Sequence, residues 1–210
     1  MPTDPNPIFW FDFGSPNSWF AHQLVPGLEA RTGARLRYVP VLLGGIFKAT
    51  GNQPPFIAYA DIPAKAAYMA HEMQRFQRRH GLQRFTMNPH FPLNTLSLMR
   101  TACAAEAEGL LAPYVDSLFH YMWEEPRKLD DPAILAATLA EAGFPAERLL
   151  ALSQEPAIKE KLLANTQGAV EKGVFGIPSF LVGDQLFFGK DSLHDVEAEL
   201  NSVEAQGIGR

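Results

Sequence analysis

The segment FWFDFGSPNSWF near the start of the chain restricts the fold more than any other. Ile8 to Phe13 is a nearly continuous apolar run, the mark of a strand covered on both faces. Gly14-Ser15-Pro16-Asn17-Ser18 follows at once, and Pro16 suits the first turn of a helix, where its missing N–H would have had no partner. The helix should run to about Arg31 and close at Thr32-Gly33. Leu36 to Leu43 (LRYVPVLL) then reads as a second strand. Strand, helix and strand in that order make a β-α-β unit, parallel by the crossover rule.

From Gly44 to Gly173 no convincing strand pattern occurs. Helical patterns cover Ala64 to His80, Asn94 to Glu108, Ala112 to Glu124, Asp131 to Ala142 and Pro145 to Lys172. Val115, Leu118, Phe119 and Met122 fall at i, i+3, i+4 and i+7, which gives one of these helices a buried face. Asp131-Pro132 supplies a cap and a first-turn proline for the next. After Phe175-Gly176-Ile177-Pro178 the period changes again. SFLVG and QLFFG are two short strands around a Gly183-Asp184 turn, and Asp191 to Asn201 closes the pattern as a helix. The expected architecture is α/β, a mixed four-stranded sheet with a large all-helical insertion. Residues 1–43 and 174–210 form the sheet domain and residues 44–173 the helical one.

With 47% hydrophobic residues, a chain of 210 residues can bury such an interior. Its 18 basic and 23 acidic residues give a net charge of -5, which disfavours nucleic acid and anionic lipid as partners. No apolar stretch approaches the roughly 20 residues of a membrane helix. MPTDPNPIFW lacks the basic start and apolar run of a secretory leader, so a cytoplasmic protein is expected. Cys103, the single cysteine, lies among small helix formers in MRTACAAEAE and reads as a buried hydrophobe. His71-Glu72 has Arg75 where a metal-binding H-E-x-x-H helix needs its second histidine, so no metal is expected.

The first turn carries the chemistry. A strand leading into a helix N-terminus gathers unpaired N–H groups and the positive end of the helix dipole, and so favours an anion. Ser15 is there either as a plain N-cap, worth about 1 kcal/mol, or as a group that also meets that anion. It has neither a G-x-S-x-G setting nor a histidine placed by sequence to act as its base, so a hydrolase-type nucleophile is disfavoured.

The order of elements resembles the thioredoxin fold with a helical insertion, as in the DsbA-like group, where C-x-x-C usually occupies this turn. Here the four residues are Ser15-Pro16-Asn17-Ser18, and without a thiolate the turn cannot exchange disulfides. FDFGSPNSWFA, LLGGIFKATGNQPP, FGIPSF and FGKDSL together resemble the 2-hydroxychromene-2-carboxylate isomerases and their relatives, the kappa-class glutathione transferases.

That resemblance implies a homodimeric enzyme that binds reduced glutathione, with Ser15 holding its sulfur. Ile177 before a cis Pro178 would meet the tripeptide backbone, as a strand-like partner does. Phe188, Gly189, Lys190 and Asp191 would complete the cofactor site, the Asp191 carboxylate pairing with the γ-glutamyl ammonium, capping the last helix, or both. Ser192 stands where relatives often carry arginine. Lys48 and Asn52, in a loop after the second strand, would hold the carboxylate and hydroxyl of an aromatic substrate, although such a lysine is as a rule simply solvated. Phe91 either walls that substrate or packs in the core. Asn94 is a ligand or an N-cap, whereas Arg75, Arg78, Arg79 and His80 suit the negative end of a helix dipole. The implied reaction is isomerisation with the thiol regenerated. A kappa-like transferase or peroxidase that consumes it, or a glutathione-binding protein without turnover, are the alternatives.

Overall fold

The computed structural model describes residues 6–208. Its elements are β1 (Ile8–Phe11), α1 (Pro16–Thr32), β2 (Arg37–Pro40), α2 (Leu43–Thr50), α3 (Pro55–Ala58), α4 (Pro63–His80), α5 (Leu96–Ala107), α6 (Leu111–Trp123), α7 (Pro132–Glu141), α8 (Ala146–Leu152), α9 (Pro156–Glu171), β3 (Ser179–Val182), β4 (Gln185–Phe188), a 3-10 turn (Lys190–Ser192) and α10 (Leu193–Ile208). The strands form one sheet in the order β2-β1-β3-β4, with β1 parallel to β2 and β3 antiparallel to both its neighbours. A mixed four-stranded sheet with helices filling the span between β2 and β3 is the architecture expected.

β1 is buried along its whole length because the sheet is covered on both sides. Alternation sends Phe9 and Phe11 to one face, into a cluster with Phe20 of α1, Leu98 of α5 and Phe119 of α6. Ile8 and Trp10 go to the other, against Val39, Ile46 of α2 and Ala169 of α9. Val115, Leu118, Phe119 and Met122 are all buried, and the Asp131 side chain accepts from the N–H groups of Ala133 and Ile134 as a cap. The larger cluster runs without a break from the sheet into the helical block.

The departures have local causes. β1 stops at Phe11 rather than Phe13, because Asp12 turns the chain: its carbonyl accepts from Ser15 N at 3.1 Å and its carboxylate from Gly14 N at 2.9 Å. β2 stops at Pro40, and the apolar residues that continued the pattern to Leu43 lead into α2. Lys48 is therefore helical, in the last turn of α2, and not in a loop. Gly45 allows α2 to approach α9, since a Cβ there would lie 3.1 Å from Thr166 Cγ2. The stretch from Pro145 to Lys172 is two helices, interrupted before Pro156, where the preceding residue is pushed out of the helical region. Residue 191 lies in the 3-10 turn, and the partner of its carboxylate is the Lys190 ammonium.

Among the described residues no helix is long and apolar enough to cross a membrane, and no group of three or more His, Cys, Asp or Glu is placed to hold a metal ion. Cys103 is fully buried in α5, and burial pushes its thiol up to about 12. We expect it to stay unmodified by an aromatic disulfide reagent in the native protein and to react at once in denaturant. Rapid labelling of the native protein would contradict the packing of α5.

Candidate functional site

Ser15 is the N-cap of α1, with extended backbone (φ -97°, ψ 113°) and Pro16 at the first helical position. Its Oγ accepts from Ser18 N at 3.2 Å and donates to the carbonyl of Ile177 at 3.0 Å. The second bond joins residues 162 positions apart and brings the first turn against the Ile177-Pro178 peptide, which is cis. Ser15 is 4% exposed. Ser18 is buried one turn in, and its Oγ has no hydrogen-bond partner among the described residues. The turn thus presents one hydroxyl bonded across the site, a second left over, and the positive end of a 17-residue helix.

Asp12, a residue the sequence did not single out, sits beneath this turn with no exposed surface. Its Oδ1 accepts from Gly14 N, and its Oδ2 accepts from Leu43 N at 2.8 Å and from Thr95 Oγ1 at 3.0 Å. One carboxylate therefore ties the Ser15 turn to the first residues of α2 and to the cap residue of α5. Burial pushes its pKa above the ordinary carboxylate value, and the three donors oppose that rise. Gly14 fits because a Cβ there would stand 3.0 Å from Thr95 Cγ2.

Asn52 follows α2, and its Nδ2 donates to the carbonyl of Phe175 at 2.8 Å, at the start of the segment that contains Ile177. Phe175 and Phe188 are half-exposed and pack ring on ring at 4.6 Å. Phe91 lies between Phe56 and Trp123, with ring centroids 5.4 and 6.0 Å away, so it packs on the core and borders the exposed rim. Asn94 Oδ1 accepts from Leu96 N at 3.0 Å, in the manner of a cap. Lys48 is exposed, and its connection to Ser15 runs through the backbone of α2 and the Leu43–Asp12 bond.

Gly189 N donates to Pro178 O at 2.8 Å and fixes the 3-10 turn beside the cis peptide. Lys190 is 3% exposed, with Nζ 2.7 Å from Glu72 Oε1 and 2.8 Å from Asp191 Oδ2. Its ammonium is engaged inside the protein, whereas the Asp191 carboxylate is 67% exposed. Two clefts of about 310 and 290 Å³ lie along α1 and include none of Ser15, Ile177 or Asp191.

A strand-turn-helix set against a cis-proline segment, with helices inserted between β2 and β3, defines a thioredoxin-fold protein whose turn bears hydroxyls. The chain matches the DSBA-like thioredoxin domain over residues 8–201, and it belongs to that family. It is 28% identical over 195 residues to 2-hydroxychromene-2-carboxylate isomerase of Pseudomonas putida, covering 93% of this chain and 94% of the relative. It is also 28% identical over 183 residues to glutathione S-transferase kappa 1 of Homo sapiens, covering 80% and 77%. A solved 2-hydroxychromene-2-carboxylate isomerase superposes with a TM-score of 0.82 at 26% identity, over 97% of this chain and 98% of that one. Pseudomonas aeruginosa DsbA, at 15% identity and a TM-score of 0.60, shares the fold.

Proposed function

We propose that the protein is a glutathione-dependent isomerase that interconverts 2-hydroxychromene-2-carboxylate and trans-o-hydroxybenzylidenepyruvate, or a closely related aromatic pair. The observation that carries this reading is the 3.0 Å bond from Ser15 Oγ to the carbonyl of Ile177. In this resting arrangement the turn satisfies its own donor with its own acceptor. A peptide thiolate brings an anionic acceptor for the hydroxyl together with a backbone N–H for the carbonyl, so one ligand replaces both halves of that bond. The orphan hydroxyl of Ser18 and the α1 N-terminus favour the same charge.

In this reading Ser15 turns its proton toward the sulfur and lowers the thiol pKa from an ordinary value of about 8.5. Bound glutathione supplies a thiolate that adds reversibly to the substrate's conjugated double bond, leaving it single and free to rotate before elimination. Ile177 and Pro178 hold the tripeptide backbone, Asp191 takes its ammonium, and Phe188 and Gly189 border it. The Lys190 ammonium, already taken, acts through Asp191. Lys48 and Asn52 face the substrate's carboxylate and hydroxyl from the α2 side, and Phe91 walls the ring. A cytoplasmic homodimer belongs to the same proposal, as does the division into a sheet domain of 1–43 with 174–210 and a helical domain of 44–173.

The likeness to a kappa-class transferase, at the same 28% identity over less of the chain, favours a second reading, in which the thiol is consumed. Mass balance separates the two. With the chromene carboxylate as substrate, we expect its ultraviolet spectrum to shift while free glutathione stays constant. Stoichiometric loss of glutathione would select conjugation or peroxide reduction instead, and tripeptide binding without turnover would make this a binding protein.

A further inference from the structure

α4 is a long helix with a narrow seat. Met69, Glu72, Met73, Phe76 and Gln77 form its inner face at helical spacing, Phe76 is the fully buried residue, and most of the remainder faces solvent. Phe76 packs on Phe20 of α1, with centroids 5.5 Å apart. One turn earlier, Glu72 Oε1 takes the Lys190 ammonium at 2.7 Å, and Lys190 Nζ also lies 4.4 Å from the centre of the Phe76 ring. The other partner of Lys190 is Asp191, 2.8 Å away. A single buried cation thus joins α4 to the carboxylate corner beside the cis peptide.

We infer that Glu72 is a positioning residue for a ligand ammonium at Asp191, acting through Lys190. Lys190 divides its charge between two carboxylates. Because Glu72 holds part of it, Asp191 keeps net negative charge for an incoming cation. An ammonium on Asp191 repels Lys190 toward Glu72 and tightens the seat of α4. The coupling is reciprocal: whatever loosens Glu72 hands Lys190 entirely to Asp191 and weakens the ammonium site. His80 also faces this corner, and its pKa is lowered first by burial and further by the Arg79 and Lys190 charges, with Asp191 opposing. It therefore adds little positive charge at neutral pH. The ligand half of this inference rests on the glutathione reading, whereas the seat of α4 does not.

The test is Glu72→Gln, at a partly exposed position where folding should be retained. Without ligand, tryptic cleavage in α4, which carries Lys65, Arg75, Arg78 and Arg79, should accelerate relative to wild type. Glutathione should bind about fivefold or more weakly, while glutaryl-cysteinylglycine, which lacks the α-amino group, should bind both proteins equally. Lys190→Met should also speed cleavage of α4 and yet strengthen glutathione binding, since both carboxylates then face the ammonium. Wild-type cleavage rates in both variants, or equal weakening for the two peptides in Glu72→Gln, would overturn the inference. A wild-type protein that binds neither peptide would overturn the glutathione reading and the ligand half with it, leaving the cleavage rates to decide the seat of α4.

Discussion

Asp12→Ala should destabilise the protein by about 3 kcal/mol or more, the expected cost of stranding buried donors that a charged acceptor had satisfied. The alanine leaves Gly14 N, Leu43 N and Thr95 Oγ1 without the acceptor they share. Asp12→Asn should cost less, and for a specific reason. An amide keeps one oxygen for Gly14 N, and the Thr95 hydroxyl can reverse to accept from its NH2 group. Leu43 N–H cannot reverse, so α2 loses its tie to the turn. Urea unfolding measures both variants.

The same residue sets a pH dependence. Burial raises the Asp12 pKa in the folded state, so the folded protein holds this proton more tightly than the unfolded chain does. The resulting stabilisation is complete below the ordinary carboxylate value of about 3.9 and is lost as pH rises through the folded pKa. Wild type should therefore gain stability relative to Asp12→Asn as pH falls from neutral toward 4. If wild type instead loses ground on acidification, the three hydrogen bonds outweigh burial and the folded pKa lies below the ordinary carboxylate value.

Ser15→Ala should leave the fold nearly intact, costing about 1 to 3 kcal/mol for the lost cap and the unpaired Ile177 carbonyl, while turnover falls about tenfold to a thousandfold, as when a donor to a developing anion is removed. The two effects separate because the cap and the reaction use different partners of one oxygen. Ser18 N loses its side-chain acceptor but keeps the Ser15 carbonyl at 3.0 Å, and Ile177 O loses its donor in the resting state, whereas sulfur loses the proton it needs during the reaction. A steady-state assay on folded variant, checked by circular dichroism, measures this. Unchanged turnover would remove Ser15 from the mechanism.

The parts of this structure legible in the sequence are those with short-range causes. The both-faces-buried β1, the Pro16 start of α1 and the Gly183-Asp184 hairpin each announce themselves within a few residues. α2 was hidden, because Gly44 and Gly45 are poor helix formers and its apolar approach cannot be told from a strand by periodicity. Asp12 draws no notice inside an apolar run, since two of its three donors come from 31 and 83 positions away. Glu72 and Lys190 meet across 118 positions for the same reason. The assignment of Ser15 and Ile177 to one site came through family resemblance, not through any pattern in the residues, and the hydrogen bond between them had no signal. The second cis peptide, Phe91-Pro92, had no signal, as cis forms are about 5 to 6% of X-Pro bonds.

The central claim is that a hydroxyl at a helix tip holds a sulfur anion the protein itself does not carry. The most direct measurement is the pKa of glutathione bound to wild type and to Ser15→Ala, followed by thiolate ultraviolet absorbance. Cys103 should contribute nothing to that signal, since its thiol is pushed up to about 12. The account predicts a value about 1.5 to 2 pH units below that of a free thiol in wild type, recovering by a unit or more in the variant. Identical values in the two proteins would contradict it.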